Sequence, residues 1–360
     1  MAGIKQHFIP QLLLRRFGVK HKNLEKTQVC VYPKSRSPFV AATDGVAAQR
    51  FFYSELSSNG VQTLDDRITD HEGQVVTDLL TVDEAGMGEA VPAEAAARII
   101  VHLTIRSDHV RETFASAGRL MATEGMGLFH NPDWVSRAMG LDQATPDAQL
   151  LKLMEDEAAK IPGGAALLSQ PGIREMLFGQ MKVNLAREQP AISAAISTMQ
   201  GRFLNEMPDI VRKAHVKALD KSLAPEPRLE KLVELEWTIQ SAPVDVIALP
   251  DCIALADLAD DPGLVPAIFV SNSAVVRSIY MPLGNGKFLV GTTARDRAQV
   301  PDSWNAAAAA ASADFFISAR RDPDLTKLIR RLGSVGGEYM DRQLRSAFGD
   351  DPRALLKSES

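Results

Sequence analysis

The stretch Ser278–Val290, which reads SIYMPLGNGKFLV, decides the fold class. Two short apolar runs, Ser278–Met281 and Phe288–Val290, flank the tripeptide Gly284-Asn285-Gly286. Glycine and asparagine tolerate the backbone conformations that a tight turn between antiparallel strands requires. The sequence therefore predicts a β-hairpin here, because a strand rather than a helix follows the glycines.

Similar short apolar runs, bounded by Pro, Gly, Asn and Asp, surround this hairpin. They predict further strands at 235–240, 244–249, 253–256 and 268–270. Short turns without intervening helices favour an antiparallel or mixed sheet over a doubly wound parallel one. Near the N-terminus, strands are predicted at 28–32 and 38–42, and the first of these is expected to join the later sheet.

The region between Pro92 and Ser222 has a different character, since it is rich in Ala, Leu, Met, Glu, Gln, Lys and Arg. These residues favour helices. Gly and Pro divide the region into predicted helices at 92–123, 147–160, 172–187 and 190–222. The predicted class is therefore α+β, an antiparallel or mixed sheet with a large inserted helical block.

Four regions are expected from these changes along the chain. Residues 1–91 form the N-terminal part of the α+β core, and 92–225 form the helical block. Residues 226–345 supply the C-terminal sheet and helices of the core, and 346–360 form a frayed tail. Outside the block, helices are predicted from Pro10 to Gly18, at 64–80, at 304–320 and at 324–331.

Composition excludes several classes of protein. Among 360 residues, 40 Lys and Arg stand against 45 Asp and Glu, so the chain is not globally basic as a DNA-wrapping protein would be. The two cysteines, Cys30 and Cys252, are too few and too far apart for a disulfide scaffold or a zinc finger. No signal peptide and no membrane span of about 18 apolar residues is found, so a cytoplasmic protein without membrane partners is expected.

Three residues are predicted to be catalytic: His7, Glu72 and Asp251. An imidazole titrates near neutral pH and suits acid–base chemistry, although His7 could equally cap its own helix or hold the N-terminal segment. Glu72 lies on a predicted amphipathic helix. A carboxylate that points inward there would be functional, but a solvent-exposed glutamate is the commoner case. Asp251 follows a predicted strand, and loops at strand ends often carry functional carboxylates. The alternative is an ordinary turn in which the Asp side chain bonds its own backbone.

Four residues are predicted to bind substrate: Gln11, His102, Arg106 and His109. The last three stand at i, i+4 and i+7, so a single long helix would present them on one stripe. Such a stripe can grip a phosphate or carboxylate. The alternative is a solvated or salt-bridged stripe, because Asp108 and Glu112 lie nearby in sequence.

The N-terminal string KQHFIPQLLLRRF, residues 5–17, has His7, Pro10, Leu14 and Phe17 at a regular spacing. It resembles the signature that opens the domain-of-unknown-function family 4238. Further pieces follow in that family's order: Phe52-Tyr53, Glu72, Arg106, Arg111, Trp237, 246–253, 281–283 and Asn305. The resemblance implies a shared fold over most of the chain and brings no characterised activity.

The second motif departs from the family pattern at two places. Leu249-Pro250 stand where Thr-Ser is usual, and Cys252-Ile253 stand where Asn-Pro is usual. If the hydroxyl or the amide binds a ligand in the family, the resemblance implies that this chain has lost part of that binding.

Two functional hypotheses follow. In the first, the protein is a hydrolase acting on a phosphodiester or other anionic substrate, including nucleic acid cleaved by a toxin or defence factor. His7 is then the acid or base, Arg106 binds the anion, and Glu72 and Asp251 orient groups or bind a divalent metal. In the second, it is a noncatalytic binding or regulatory module, and the same residues form a buried polar network. No other cofactor is identified, and motifs of P-loop, dinucleotide-binding, α/β-hydrolase and zincin enzymes are absent.

Overall fold

The structure is a computed structural model that describes residues 5–20, 26–53, 63–284, 286–293 and 298–348. The described strands are β1 (Lys5–His7), β2 (Gln28–Pro33), β3 (Phe39–Ala42), β4 (Ala48–Arg50), β5 (Ala90–Val91), β6 (Glu236–Ser241), β7 (Leu249–Pro250), β8 (Leu255–Leu258), β9 (Leu264–Pro266), β10 (Val276–Gly284), β11 (Lys287–Thr292) and β12 (Phe315–Ser318).

All of these strands pair antiparallel, in three sheets. The largest has the order β5-β6-β11-β10-β8-β9, a second has the order β3-β2-β12-β7, and β1 pairs with β4. The predicted hairpin is confirmed as β10 and β11, with Gly284 opposite Lys287; Asn285 of its turn lies outside the described residues. Strand β2, which was expected to join the later strands, pairs with β12 in the sheet that also contains β7, whereas the hairpin belongs to a separate sheet.

The described α-helices are α1 (Gln11–Phe17), α2 (Leu64–Glu84), α3 (Ala93–Ile105), α4 (Asp108–Leu120), α5 (Pro132–Ala138), α6 (Ala148–Ala159), α7 (Gly164–Leu168), α8 (Ile173–Lys221), α9 (Glu226–Val233), α10 (Trp304–Ala311), α11 (Pro323–Leu328) and α12 (Ser334–Phe348). Helices and antiparallel sheets together confirm the α+β class. Within the described residues no helix has both the length and the apolar character needed to cross a membrane.

Several predicted boundaries are wrong for identifiable reasons. The helix predicted at 92–123 breaks after Ile105, since Arg106 and Ser107 separate α3 from α4. Conversely, α8 continues through Pro190 and Pro208. The helix predicted at 304–320 ends at Ala311, and β12 follows it. Residues 267–269 form a 3-10 turn instead of a strand, and most of 244–249 lies outside any strand.

The chain divides into two compact units. The larger unit comprises residues 1–114 and 209–339, and the smaller comprises 115–208 and 340–360. Helix α3 packs on α2 and α9 within the larger unit, because its residues Ala96, Ile99 and Leu103 are buried there. The larger unit therefore takes in both ends of the predicted 92–225 block. Of the predicted tail, residues 346–348 complete α12, and the rest lies outside the described residues.

The N-terminal motif contributes buried side chains to the core of the larger unit. Pro10 precedes α1, as predicted, and Leu14 and Phe17 are fully buried. Gly18 ends the helix, and a Cβ there would lie 2.1 Å from the Thr27 side chain, so only glycine fits this approach. Strand β1 pairs with β4, which sets His7 opposite Ala48 at the start of the motif.

Candidate functional site

The predicted site residues fall into two clusters. The first, called the Arg106 cluster, comprises His7, Gln11, Tyr53, Glu72, His102 and Arg106. Arg106 is 2% exposed and lies directly after the last turn of α3. Its position at the break between two helices lets its guanidinium and its own backbone carbonyl contact other elements of the larger unit.

The guanidinium of Arg106 donates to four partners on different parts of the chain. Nε donates to Tyr53 Oη at 3.2 Å, and Nη2 donates to the His7 carbonyl at 2.5 Å. Nη1 donates to His102 Nε2 at 3.2 Å and forms an ion pair with Glu72. Tyr53 Oη in turn donates to the Arg106 carbonyl at 2.9 Å. These bonds use four of the five N–H groups of a guanidinium.

The proton of His7 is placed by its neighbours. Arg15 donates to Gln11 Oε1 at 2.6 Å, which orients the Gln11 amide so that its nitrogen faces His7 Nε2 at 3.1 Å. Gln11 Nε2 can only donate, so His7 Nε2 accepts and the proton of the neutral ring lies on Nδ1. Burial, and then the charge of Lys5, lower the pKa of His7. The imidazole is therefore neutral, and its basic nitrogen is occupied.

His102 is held neutral in the same way. Its Nε2 accepts from Arg106, so its proton lies on Nδ1. Burial first, and then the charge of Arg106, lower the pKa of His102 well below its ordinary value. Of the three residues predicted to bind substrate on this stripe, Arg106 carries the permanent charge, His102 stays uncharged and His109 lies on another helix.

The second group, called the Asp251 cluster, comprises His109, Asp251 and Cys252, which are all buried. His109 Nδ1 lies 3.1 Å from Asp251 Oδ1. Asp251 Oδ1 also accepts from the Ala313 backbone N–H at 3.1 Å. Oδ2 accepts from the backbone N–H groups of Asp314 at 2.8 Å and Phe315 at 3.2 Å. The carboxylate thus fixes the chain where it enters β12.

A strained turn presents Asp251 and Cys252. They follow the two-residue strand β7, and the next residue, Ile253, has a φ of 71°. A β-branched residue in this left-handed region costs on the order of 1–3 kcal/mol. The Ile253 N–H donates to the Pro250 carbonyl at 2.9 Å, which closes the turn. The four hydrogen bonds of Asp251 are the local interactions that offset this strain.

Further carboxyls surround the Asp251 cluster. Burial, and then the charge of Glu112, raise the pKa of Asp108 to about 6, and Asp314 and Asp251 add to this effect while Arg111 opposes it. Burial, followed by the charges of Asp251 and Glu112, also raises the pKa of Asp314. Asp108, Glu112 and Asp314 therefore lie near the Asp251 carboxylate, and Arg111 and Lys34 are the nearby cations that oppose their effect.

The structure brings together five of the seven predicted site residues and sets two apart. His7, Gln11, Glu72, His102 and Arg106 meet in the Arg106 cluster, whereas His109 pairs with Asp251. Among the described residues, no hydrogen bond or ion pair of these side chains joins the two clusters. The single stripe predicted from i, i+4 and i+7 spacing is wrong, because α3 ends before Arg106 and α4 begins after it.

A third arrangement was not predicted. Arg111 donates to His215 Nδ1 at 2.9 Å and to the Phe52 carbonyl at 2.6 Å. His215 Nε2 then donates to the Ile105 carbonyl at 2.7 Å, and burial lowers the pKa of His215 to about 4. The sequence carries no signal for a contact between residues 104 positions apart, nor for Cys252 beside His109.

Comparisons with known proteins agree with the N-terminal motif. No curated protein and no solved structure matches the chain. Residues 5–84, which include the motif, Tyr53 and Glu72, match the model of a family described as a protein of unknown function, DUF4238, the family that the sequence resembles.

Proposed function

We propose that the protein is a noncatalytic binding or regulatory module, and that the Arg106 cluster is a structural network within it. One observation supports this most strongly: a single buried guanidinium bonds β1, α2, α3 and Tyr53. A buried charge with its donors used by the protein stabilises that arrangement, and removing it leaves several partners unsatisfied.

The same contacts argue against a hydrolase that uses the predicted residues. A general base needs a lone pair that can reach the substrate, and the one on His7 Nε2 is taken by Gln11. An anion clamp needs free donors, and Glu72 already occupies Arg106. Asp251, the third predicted catalytic residue, contacts His109 and backbone N–H groups instead.

The Glu72 side chain is 34% exposed, whereas the Arg106 side chain is 3% exposed. An anionic ligand entering from solvent would therefore meet the carboxylate of Glu72 before the guanidinium. Binding an anion at this position requires Glu72 to move away or become protonated, and both cost free energy. The position of the Glu72 carboxylate on the solvent side of Arg106 therefore favours a structural ion pair over an anion-binding site.

The test compares wild type with His7→Ala and Glu72→Gln, and His130→Ala in the smaller unit is the control. Hydrolysis of bis(4-nitrophenyl) phosphate, single-stranded DNA and RNA is measured with Mg²⁺ and with Mn²⁺, beside the melting temperature. We expect no hydrolysis above buffer. His7→Ala and Glu72→Gln lower the melting temperature by a few degrees, as a loss of about 1 kcal/mol does, and His130→Ala leaves it nearly unchanged.

The opposite pattern overturns the proposal. It consists of hydrolysis by wild type that disappears in His7→Ala and Glu72→Gln while their melting temperatures stay at the wild-type value. That result supports the hydrolase hypothesis with these two residues in the reaction.

A further inference from the structure

We propose that the Asp251 cluster is a binding site for one zinc-type divalent ion, with Cys252 Sγ, His109 Nδ1 and Asp251 Oδ1 as ligands. This site lies outside the Arg106 cluster, so the inference goes beyond the proposed function. Thiolate and imidazole are the ligands of zinc and similar ions, in contrast to the all-oxygen sites of Mg²⁺ and Ca²⁺.

The geometry of the three donors fits such an ion. One ligand atom from each residue lies within 4.8 Å of the other two, and His109 Nδ1 is 3.1 Å from Asp251 Oδ1. With metal–ligand distances of about 2.0–2.3 Å, neighbouring ligands of a tetrahedral ion are roughly 3.3–3.7 Å apart. The three atoms therefore need shifts of about 1 Å or less to surround one ion.

The charge balance suits a buried site. The side chains of His109 and Asp251 are 1% and 3% exposed, and Cys252 is 1% exposed. A divalent ion bound by one thiolate, one carboxylate, one neutral imidazole and a neutral water as fourth ligand has a net charge of zero, which is the least costly state in a protein interior.

Protons are conserved in the binding step. Without an ion, His109 Nδ1–H donates to Asp251 Oδ1, and the buried Cys252 side chain is a thiol. The ion takes the place of the proton between Nδ1 and Oδ1, and that proton moves to His109 Nε2. Nε2 is buried and has no hydrogen-bond partner among the described residues, so either tautomer is open to the ring. The thiol proton leaves to solvent, and one proton is released for each ion bound.

The sequence offers a matched control, since Cys30 and Cys252 are the only two cysteines and both are buried. The probe is Co²⁺, added to the reduced full chain. Thiolate ligation produces a charge-transfer band in the near ultraviolet, and tetrahedral geometry produces intense d–d bands in the visible. We expect one Co²⁺ per chain with both signatures, displacement of Co²⁺ by Zn²⁺, and a higher melting temperature with Zn²⁺.

The Cys30→Ala variant keeps these bands, and Cys252→Ala loses the charge-transfer band. Cys30→Ala is sufficient to assign the thiolate ligand, because any thiolate band in that variant comes from Cys252. The assignment therefore does not depend on whether Cys252→Ala folds. His109→Gln weakens Co²⁺ binding at least tenfold.

Two results overturn the site. One is the absence of a thiolate-to-cobalt band in wild type, which leaves His109 and Asp251 as a hydrogen-bonded pair that fixes β12. The other is a band that persists in Cys252→Ala and disappears in Cys30→Ala. Neither result bears on the hydrolysis and melting experiments at the Arg106 cluster.

Discussion

The Arg106 cluster and the Asp251 cluster each place one charged group in the larger unit, but they neutralise it differently. Arg106 is paired with a side-chain carboxylate that is 34% exposed. Asp251 is paired with backbone N–H groups and with an imidazole that is 1% exposed. A buried charge therefore need not have an ion of opposite sign beside it, because several aligned N–H dipoles stabilise it as well.

Replacing Asp251 with Ala has the largest expected effect. Three part-buried backbone N–H groups and the buried His109 N–H lose their acceptor, so the free energy of unfolding falls by about 4 kcal/mol. Urea denaturation measures this loss. The control is Asp322→Ala, whose carboxylate also accepts from two backbone N–H groups but caps α11 nearer the surface. It costs about 1 kcal/mol, and equal losses would contradict the role given to burial.

Arg106→Gln comes second, with a loss of about 2–3 kcal/mol in the free energy of unfolding. The loss is smaller than for Asp251 because water reaches Glu72 once its partner is gone. The control is Arg67→Gln, which removes an ion pair between two more exposed side chains, Arg67 and Asp220. That substitution costs less than about 1 kcal/mol. If the two Arg variants unfold at the same urea concentration, Arg106 is not the centre of a network.

Asp108, beside the Asp251 cluster, and His102, in the Arg106 cluster, make stability depend on pH with opposite signs. The raised pKa of Asp108, about 6 against an ordinary 3.8, means that its proton is bound more tightly in the folded state. Relative to Asp108→Asn, wild-type stability therefore falls by about 1–2 kcal/mol as pH rises across that interval. The lowered pKa of His102 means that the unfolded state takes up its proton first. Relative to His102→Gln, wild-type stability falls as pH drops below 6.5, the ordinary value.

Urea denaturation of the three proteins between about pH 4 and pH 7 measures both slopes. Slopes of the same sign would contradict the opposite pKa shifts assigned to Asp108 and His102.

The smallest expected effect is at Gln11. Gln11→Ala removes one donor to a half-buried imidazole, and the free energy of unfolding falls by less than about 1 kcal/mol. Nitrogen NMR shifts of His7 give the sharper readout, because they distinguish the two tautomers. Wild type shows the Nδ1–H form, and Arg15→Ala, which frees the Gln11 amide, increases the Nε2–H form. A wild-type Nε2–H form would contradict the orientation deduced for Gln11.

Much of the fold follows from local sequence patterns. The hairpin of β10 and β11, the start of α1 after Pro10 and its end at Gly18 are set by residues a few positions apart. Helix α2 begins at Leu64, as its apolar spacing predicts, and Ile68, Val75 and Leu79 are buried. Val76 and Leu80, apolar residues that also fit the helix predicted at 64–80, are 39% and 57% exposed. The pattern locates the helix and overestimates the width of its buried face.

The sites depend on contacts that local patterns do not contain. Arg106 and His7 are 99 positions apart, and His109 and Asp251 are 142 apart. The sequence identifies most of the residues in both clusters and assigns them to one site. The assignment fails at the break between α3 and α4, which neither Gly nor Pro marks. The Tyr53 hydroxyl bonds both the side chain and the backbone carbonyl of Arg106. This tertiary contact holds the C-terminus of α3 in place.

The positions of the three tryptophans allow fluorescence to follow the unfolding of each unit. Trp237 and Trp304 are buried in the larger unit, where their indole N–H groups donate to the Leu232 and Ala248 carbonyls, both at 2.9 Å. Trp134 lies half-buried in the smaller unit, against Phe129. A collisional quencher therefore reaches Trp134 first, and a Trp134→Phe chain emits only from the larger unit. Comparing the fluorescence of wild type and Trp134→Phe during denaturation shows whether the units unfold in one transition or in two.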